Sequence, residues 1–190
     1  MLVAQAMEFP AGSEVVVPSF TFAATAQALA WNGLVPVFCD CRPGSLTLDP
    51  DDVERNLTPR TAAICGAYVY GLPPDIDALI EVGERHGLPV YFDSAQGLGA
   101  EYRGRKAGVF GVCEVFSLSP TKVVTAIEGG VICTGDSPDV VALREAGFEV
   151  FTHGMQRSLN PGRALSAIAT IRRVIREQRI QAVVCHNSLA

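Results

Sequence analysis

Residues 61–95 read TAAICGAYVYGLPPDIDALIEVGERHGLPVYFDSA, and the fold assignment starts from this stretch. Two apolar segments, 61–71 and 89–95, are rich in Val, Ile, Phe and Tyr, as expected for strands that are buried on both faces. An amphipathic helix lies between them, with Asp75 as a capping residue at its start and Gly87 at its end. A strand, a helix and a strand in this order predict a parallel strand pair covered by the helix.

The same alternation continues on both sides of this unit. Further strands are predicted at 14–19, 35–40, 114–119 and 129–135, and further helices at 23–33 and 49–57. The fold class is therefore α/β, with a mainly parallel (mixed) sheet flanked by helices. Folds of this kind bind ligands at the carboxyl ends of their strands, so we expect the site at that edge. After Gly135, a long basic helix at about 163–178 and a strand, QAVVCH, predict a short strand–helix–strand appendage.

Composition and charge exclude several classes of protein. Of the 190 residues, 48% are hydrophobic and 18% are charged, which argues against disorder. A formal net charge of -5 provides no basic surface for nucleic acid or for an anionic membrane. No apolar run reaches the roughly 18 residues of a membrane span, and the start, MLVAQAMEF, lacks the basic region of a signal peptide. We therefore expect a cytoplasmic protein without nucleic-acid or membrane partners.

The six cysteines stand mostly in apolar, strand-like segments and are predicted to be buried free thiols. Cys39 and Cys41 form a C-x-C pair, but no second pair or histidine cluster has the spacing of a zinc site, so we expect no metal. The sequence contains neither G-x-G-x-x-G nor G-x-x-x-x-G-K-[ST]. This absence argues against a dinucleotide-binding or P-loop enzyme.

Three polar residues near predicted strand ends are candidates for a site. Asp93 ends the strand PVYFD, Ser117 stands in VFSLSP, and Lys122 follows in SLSPTK. Taken singly, they could be a helix cap, a turn residue and a solvated surface charge. Together they match pyridoxal phosphate (PLP), which needs an amine for a Schiff base, a carboxylate opposite the pyridine nitrogen and donors for its phosphate. Phe22, in PSFTFAAT, is a candidate for stacking on the ring, with core packing as the alternative.

A family resemblance covers roughly residues 8–136. It is carried by the segments GSEVVVPSFTFAATAQALAWNGLVPVFCD, LTLDPDDVERNLTPRTAAI, HGLPVYFDSAQGLGA and EVFSLSPTKVVTAIEGGVICT. With D-x-A-Q, S-x-x-x-x-K and E-G-G in this order, the chain resembles the DegT/DnrJ/EryC1/StrS sugar aminotransferases, which are fold-type-I PLP enzymes. The resemblance implies an incomplete PLP-transferase large domain. It also implies transfer of an amino group from glutamate or glutamine to a keto-sugar, commonly nucleotide-linked, by an enzyme that forms homodimers.

The resemblance also implies roles for individual residues. By similarity, Lys122 is the Schiff-base lysine and Asp93 pairs with the pyridine nitrogen. Gln96 contacts the ring region, Ser117 binds the phosphate, and Phe22 occupies the position of a stacking aromatic. A related branch that dehydrates sugars carries histidine in place of the lysine, so Lys122 argues against that branch.

Departures from the family pattern lead to a two-part interpretation. Family members begin some tens of residues earlier, with a phosphate-binding turn, and continue for well over a hundred residues, so we expect a chain truncated at both ends. Residues from about 142 resemble instead the N-terminal region of a GT4-type glycosyltransferase. We therefore predict an incomplete PLP-binding core at 1–141 and an appended segment of different origin at 142–190. Residues 148–190 are predicted to contribute no group to the PLP pocket.

Three functions stay open on the sequence alone. The leading hypothesis is the PLP-dependent sugar aminotransferase. The second is a non-catalytic fragment or pseudoenzyme that keeps the sheet and residual PLP affinity, and in such a fragment a homodimer is doubtful. The third, based on the tail alone, is a nucleotide-sugar-binding part of a glycosyltransferase. Formation of a stable covalent PLP adduct separates the first hypothesis from the second.

Overall fold

The computed structural model describes residues 1–125 and 129–134, together with the backbone of 182–186. The helices in these ranges are α1 (Leu2–Ala6), α2 (Ala23–Ala30), α3 (Pro50–Asn56) and α4 (Ile76–His86). The strands of the main sheet are β1 (Glu14–Pro18), β2 (Val35–Cys39), β3 (Thr61–Ala67), β4 (Val90–Asp93), β7 (Cys113–Ser117), β8 (Gly130–Thr134) and β9 (Ala182–His186). A separate hairpin is formed by β5 (Glu101–Tyr102) and β6 (Arg105–Lys106).

The main sheet has the strand order β2-β1-β3-β4-β7-β8-β9. Its first five strands run parallel, β8 is antiparallel to β7, and β9 is parallel to β8. The predicted mainly parallel, mixed sheet is thus confirmed. Because β1, β4 and β7 share one direction, the segments that follow them begin at the same edge of the sheet.

Apolar clusters pack on both faces of this sheet. Val15 and Leu29 belong to the cluster on the face that α2 covers, whereas Val16 and Leu79 belong to the cluster on the face that α4 covers. Successive residues of a strand point to opposite faces, so β1 needs apolar side chains at consecutive positions. This is the physical reason for the three consecutive valines of EVVVP, whose five residues are all buried.

Helix α4 begins and ends where its sequence predicts. The Asp75 carboxylate accepts a hydrogen bond from the Ala78 amide at 3.5 Å, which caps the first turn. Gly87 ends the helix in the left-handed conformation, with φ of 64°. The buried residues Ile76 and Leu79 lie three positions apart on the side that faces the sheet.

Other elements are shorter than predicted. The helix predicted at 23–33 ends at Ala30, and Gly33 follows in a turn with φ of 73°. The strand predicted at 61–71 ends at Ala67, because the chain then turns through a bridge between Val69 and Leu72. Hydrophobicity continues through this turn, so composition alone extends the strand too far.

Two features were not anticipated from the sequence. Helix α1 has five residues, and the hairpin strands β5 and β6 have two residues each. Such segments are too short to show a hydrophobic period. The hairpin turn itself consists of Arg103 and Gly104, both with positive φ (47° and 76°), as in the tight turns preferred by two-residue hairpins.

The predicted appendage lies almost wholly outside the described residues. The helix at about 163–178 cannot be compared for that reason. The strand QAVVCH is present as β9, which extends the main sheet by pairing from Gly130↔Ala182 to Thr134↔His186. Over the ranges given above, no helix is long and apolar enough to cross a membrane.

Candidate active site

A pocket of about 680 Å³ opens at the carboxyl edge of the main sheet. All five predicted site residues line it: Phe22, Asp93, Gln96, Ser117 and Lys122. Asp93 is the last residue of β4 and Ser117 the last residue of β7, while Phe22 directly precedes the first residue of α2. The parallel topology therefore brings together residues that are widely separated along the chain.

The Asp93 carboxylate is held by donors from two elements. The Thr25 hydroxyl of α2 donates to Oδ2 at 2.6 Å, and the Ala95 amide donates to Oδ1 at 3.1 Å. Thr25 is buried, and its hydroxyl lies 2.9 Å from that of Thr21. A carboxylate has about four lone-pair sites, so these two bonds orient Asp93 and leave capacity for a donor in the pocket.

Two neutral groups line the pocket on the sheet face that Asp93 occupies. Cys65 and Tyr91 are paired across β3 and β4, and Tyr91 lies two residues before Asp93. Burial raises the pKa of the Cys65 thiol and of the Tyr91 hydroxyl well above their ordinary values, and the Asp93 charge acts in the same direction. Neither group therefore adds a second negative charge beside Asp93 at neutral pH.

Gln96 is exposed at the pocket and is oriented by its amide oxygen. The Tyr70 amide donates to Oε1 of Gln96 at 2.6 Å, so the side-chain NH₂ group is the end that a ligand can use. The donor comes from a tight turn in which Tyr70 and Gly71 both have positive φ, 51° and 85°. For Tyr70 this conformation is uncommon, and the bond to Gln96 helps to hold it.

Ser117 and Lys122 are connected by a compact turn after β7. The Ser119 amide donates to the Ser117 hydroxyl oxygen at 3.3 Å, and the Lys122 amide donates to the Ser119 carbonyl at 3.0 Å. Lys122 is half-buried and forms no ion pair with any residue in the described part of the chain. Its side-chain nitrogen is thus available to a ligand there, whereas that of Lys106 is paired with Glu101 Oε1 at 2.5 Å.

Phe22 is 75% exposed, which makes the core-packing alternative wrong. Two further exposed aromatic side chains line the same pocket, Phe20 and Tyr70, with ring centroids 6.4 Å apart. Exposed aromatic rings at a pocket provide flat apolar surfaces on which a planar ligand can stack.

Several pocket residues were not identified from the sequence. Thr25 has a usable signal, because it lies three residues after Phe22 and so shares its side of the first turn of α2. Phe20 stands two residues before Phe22, in the segment that follows β1. Tyr68 and Tyr70 follow β3 and could have been found by asking what lies at that strand's carboxyl end.

Several known proteins resemble this chain in sequence or in structure. One curated relative, an L-glutamine:2-deoxy-scyllo-inosose aminotransferase from Micromonospora echinospora, is 44% identical over 137 residues, which are 72% of this chain and 33% of that protein. The crystal structure of DesI in the presence of its TDP-sugar product is 46% identical and superposes with a TM-score of 0.72 over 75% of this chain and 36% of that one. NtdA from Bacillus subtilis with bound cofactor PMP is 26% identical, with a TM-score of 0.70 over 79% of this chain and 34% of that one.

The chain spans about a third of the length of the curated relatives it matches. The family model that matches the chain extends over residues 1–181, whereas the motifs quoted above carry the resemblance only over roughly residues 8–136. With this match over most of the sequence, the chain belongs to the DegT/DnrJ/EryC1/StrS aminotransferase family.

Proposed function

We propose that this chain forms part of a PLP-dependent aminotransferase that transfers an amino group from glutamate or glutamine to a nucleotide-linked keto-sugar. The observation that carries the proposal is the pocket at the carboxyl edge of the sheet. The pocket is lined by five groups that suit PLP: the Lys122 amine, the Asp93 carboxylate, the Gln96 amide, the Ser117 hydroxyl and the exposed Phe22 ring.

The chemistry of these groups fits PLP. Bound PLP supplies an aldehyde that an amine can capture and a ring that withdraws electrons from the Cα–H bond of an amino acid. The Lys122 amine has no carboxylate partner among the described residues, so it is suited to capture the aldehyde. Asp93, held by Thr25 and Ala95, is suited to keep a proton on the pyridine nitrogen.

The other residues are proposed to bind and orient. The Ser117 hydroxyl donates to the Ser119 hydroxyl at 3.1 Å in this structure, and we propose that it turns to donate to a phosphate group when PLP binds. The Phe22 ring supplies a face for stacking, and the Gln96 NH₂ group can donate to an oxygen of the ligand. During transfer, Lys122 is proposed to move a proton to and from the substrate Cα.

The names of the relatives support the substrate classes. One relative takes its name from L-glutamine and an inosose, and DesI was solved with a TDP-sugar product. NtdA carries PMP, the amine form of the same cofactor. The donor, the nucleotide linkage, a family-like homodimer and a cytoplasmic location are parts of the proposal. So is the division into a core at 1–141 and an appended segment at 142–190.

The sequence makes a direct test possible, because Lys122 and Lys106 are its only lysines. The chain is incubated with PLP and reduced with borohydride, and the modified residue is located by peptide mass analysis. We expect a single adduct on Lys122 that Lys122→Ala abolishes and the matched control Lys106→Ala leaves unchanged. An adduct on Lys106 alone, or no adduct at millimolar PLP, contradicts the proposal and favours the non-catalytic alternative.

A further inference from the structure

Glu114 is a fully buried carboxylate on the sheet face opposite to the pocket. The register between β4 and β7 pairs Phe92 with Glu114 and Asp93 with Val115. Asp93 and Val115 both line the pocket, so the alternation of side chains directs Glu114 to the other face. Glu114 has no part in the chemistry proposed above.

Three donors from two loops converge on this carboxylate. The Ser94 hydroxyl donates to Oε2 at 2.7 Å, and the amides of Gly108 and Phe110 donate to Oε1 at 2.6 and 2.9 Å. Every contact uses Glu114 as an acceptor, which suits a carboxylate. A buried carboxylate would be costly without such donors, so the two loops and Glu114 stabilise one another.

The bond to Ser94 links Glu114 to the pocket. Ser94 directly follows Asp93, its amide donates to the Val115 carbonyl at 2.8 Å, and its carbonyl accepts from the Gly97 amide at 2.8 Å. It therefore begins the turn 94–97. This turn presents Gln96 to the pocket, and its Ala95 amide donates to the Asp93 carboxylate.

Tyr68 supports the same turn. Its amide donates to the Asp93 carbonyl at 2.9 Å, and its ring lies so close to Gly97 that an added Cβ would be 2.7 Å from ring carbon Cδ1. Burial raises the pKa of the Tyr68 hydroxyl, and the neighbouring charge of Glu114 raises it further. The turn is thus held by a tyrosine ring at Gly97 and by a carboxylate at Ser94.

We propose that Glu114 is a positioning residue for the cofactor site. By binding Ser94 from the far face of the sheet, it fixes the turn 94–97 and, through the turn, the orientation of Asp93 and Gln96. The expected effect of Glu114 on PLP binding rests on the proposed function. Its effect on the turn 94–97 is a property of the chain without any ligand.

The first test measures amide hydrogen exchange at Ala95 and Gly97 in the cofactor-free chain. Glu114→Gln places an amide NH₂ group among three donors, so we expect exchange at both positions to rise about tenfold. Glu14→Gln is the matched control. Glu14 is also a buried carboxylate, 4% exposed and bound by Thr58 and Arg60, but it begins β1 at the opposite edge of the sheet.

A residue that merely stabilises the fold would give a different pattern. Both variants would then lower the thermal unfolding temperature, and exchange in the turn would rise equally in both. If exchange at Ala95 and Gly97 is the same in Glu114→Gln as in Glu14→Gln, the positioning role is overturned. Should Glu114→Gln fail to fold, Ser94→Ala carries the same test, because it removes the connecting hydroxyl and keeps the carboxylate.

The second test uses PLP itself. Glu114→Gln and Ser94→Ala are expected to weaken PLP capture by Lys122 about tenfold, while Glu14→Gln stays within about twofold of the unmodified chain. Equal capture by all variants overturns the inference. If the unmodified chain captures no PLP, the proposed function fails, and the exchange measurement still decides whether Glu114 holds the turn.

Discussion

The hydrogen bond from Thr25 to Asp93 offers a sharp test of how the site is built. Thr25→Val removes the hydroxyl and keeps a β-branched side chain of nearly the same shape, so the packing of α2 changes little. Thr25 is only 6% exposed, so water does not readily replace the lost donor. Asp93 then keeps one of its two described donors, the Ala95 amide at 3.1 Å.

The size of the effect follows from the kind of bond. A hydrogen bond to a charged group contributes about 1.5–3 kcal/mol, and the short 2.6 Å contact belongs to this class. We take about 2 kcal/mol for the loss of unfolding free energy, which lowers Tm by roughly 4–8 °C for a chain of this size. Asp93 is also less well oriented for PLP in this variant. We expect a loss of about 1.4 kcal/mol in binding free energy, which corresponds to about tenfold weaker PLP affinity.

The assay combines thermal unfolding with a PLP titration followed by absorbance. Thr25→Ser keeps the hydroxyl and is expected to stay within about 1 °C of the unmodified chain after allowance for the lost methyl group. Thr21→Val is a second control, because the Thr21 hydroxyl contacts Thr25 and, in the described part of the chain, forms no hydrogen bond to the Asp93 carboxylate. Its loss should cost less than about 1 kcal/mol.

Two results would refute this reasoning. If Thr25→Val unfolds at the same temperature and binds PLP as tightly as the unmodified chain, the hydroxyl does not orient Asp93. If Thr25→Ser is as damaging as Thr25→Val, the effect comes from packing and not from the hydrogen bond.

Three further predictions concern chemistry, backbone and pH. Asp93→Asn should keep the borohydride-fixed adduct on Lys122 but abolish exchange of the substrate Cα proton for deuterium, followed by NMR, since a neutral amide cannot hold the ring nitrogen protonated. Gly111→Ala should cost about 3 kcal/mol or more in urea unfolding, because φ is 60° and the new Cβ would lie 2.3 Å from the Val90 carbonyl oxygen. Burial raises the pKa of Cys39 from 9.0 to about 12, so the folded chain keeps a proton that the unfolded chain releases. Stability should therefore fall as pH rises from 9 towards 12, and urea unfolding of Cys39→Ala should show a smaller fall.

Much of the fold follows from the sequence because parallel strands buried on both faces have a distinctive pattern. The three consecutive valines of EVVVP and the capped helix between Asp75 and Gly87 are local properties, and both are found in the expected elements. Strand ends are less well predicted, because apolar residues continue into the turn at Val69. Whether the appendage from residue 142 has a different origin stays a prediction, since only the backbone of Ala182–His186 in it is described.

The residues of the candidate site also fall into two groups, those that the sequence predicts and those that it does not. Phe22, Asp93, Gln96, Ser117 and Lys122 could be selected because their side-chain chemistry matches one cofactor and they follow strands that share a direction. Matching side chains to a cofactor does not select the groups that orient them, although the spacing of Thr25 from Phe22 offers a signal. A threonine in a helix and a backbone amide in a turn are ordinary in sequence, and only the packing of α2 and of the turn after β3 brings them to Asp93 and Gln96.

Glu114 shows how a strand can nevertheless indicate such a supporting group. In EVFSLS, an acidic residue stands in a segment whose other features predict a strand covered on both faces. A carboxylate in that setting must find several donors or destabilise the sheet, so its presence implies loops that present amides and hydroxyls to it. The donors it finds are Ser94, Gly108 and Phe110, and Ser94 is the residue next to Asp93.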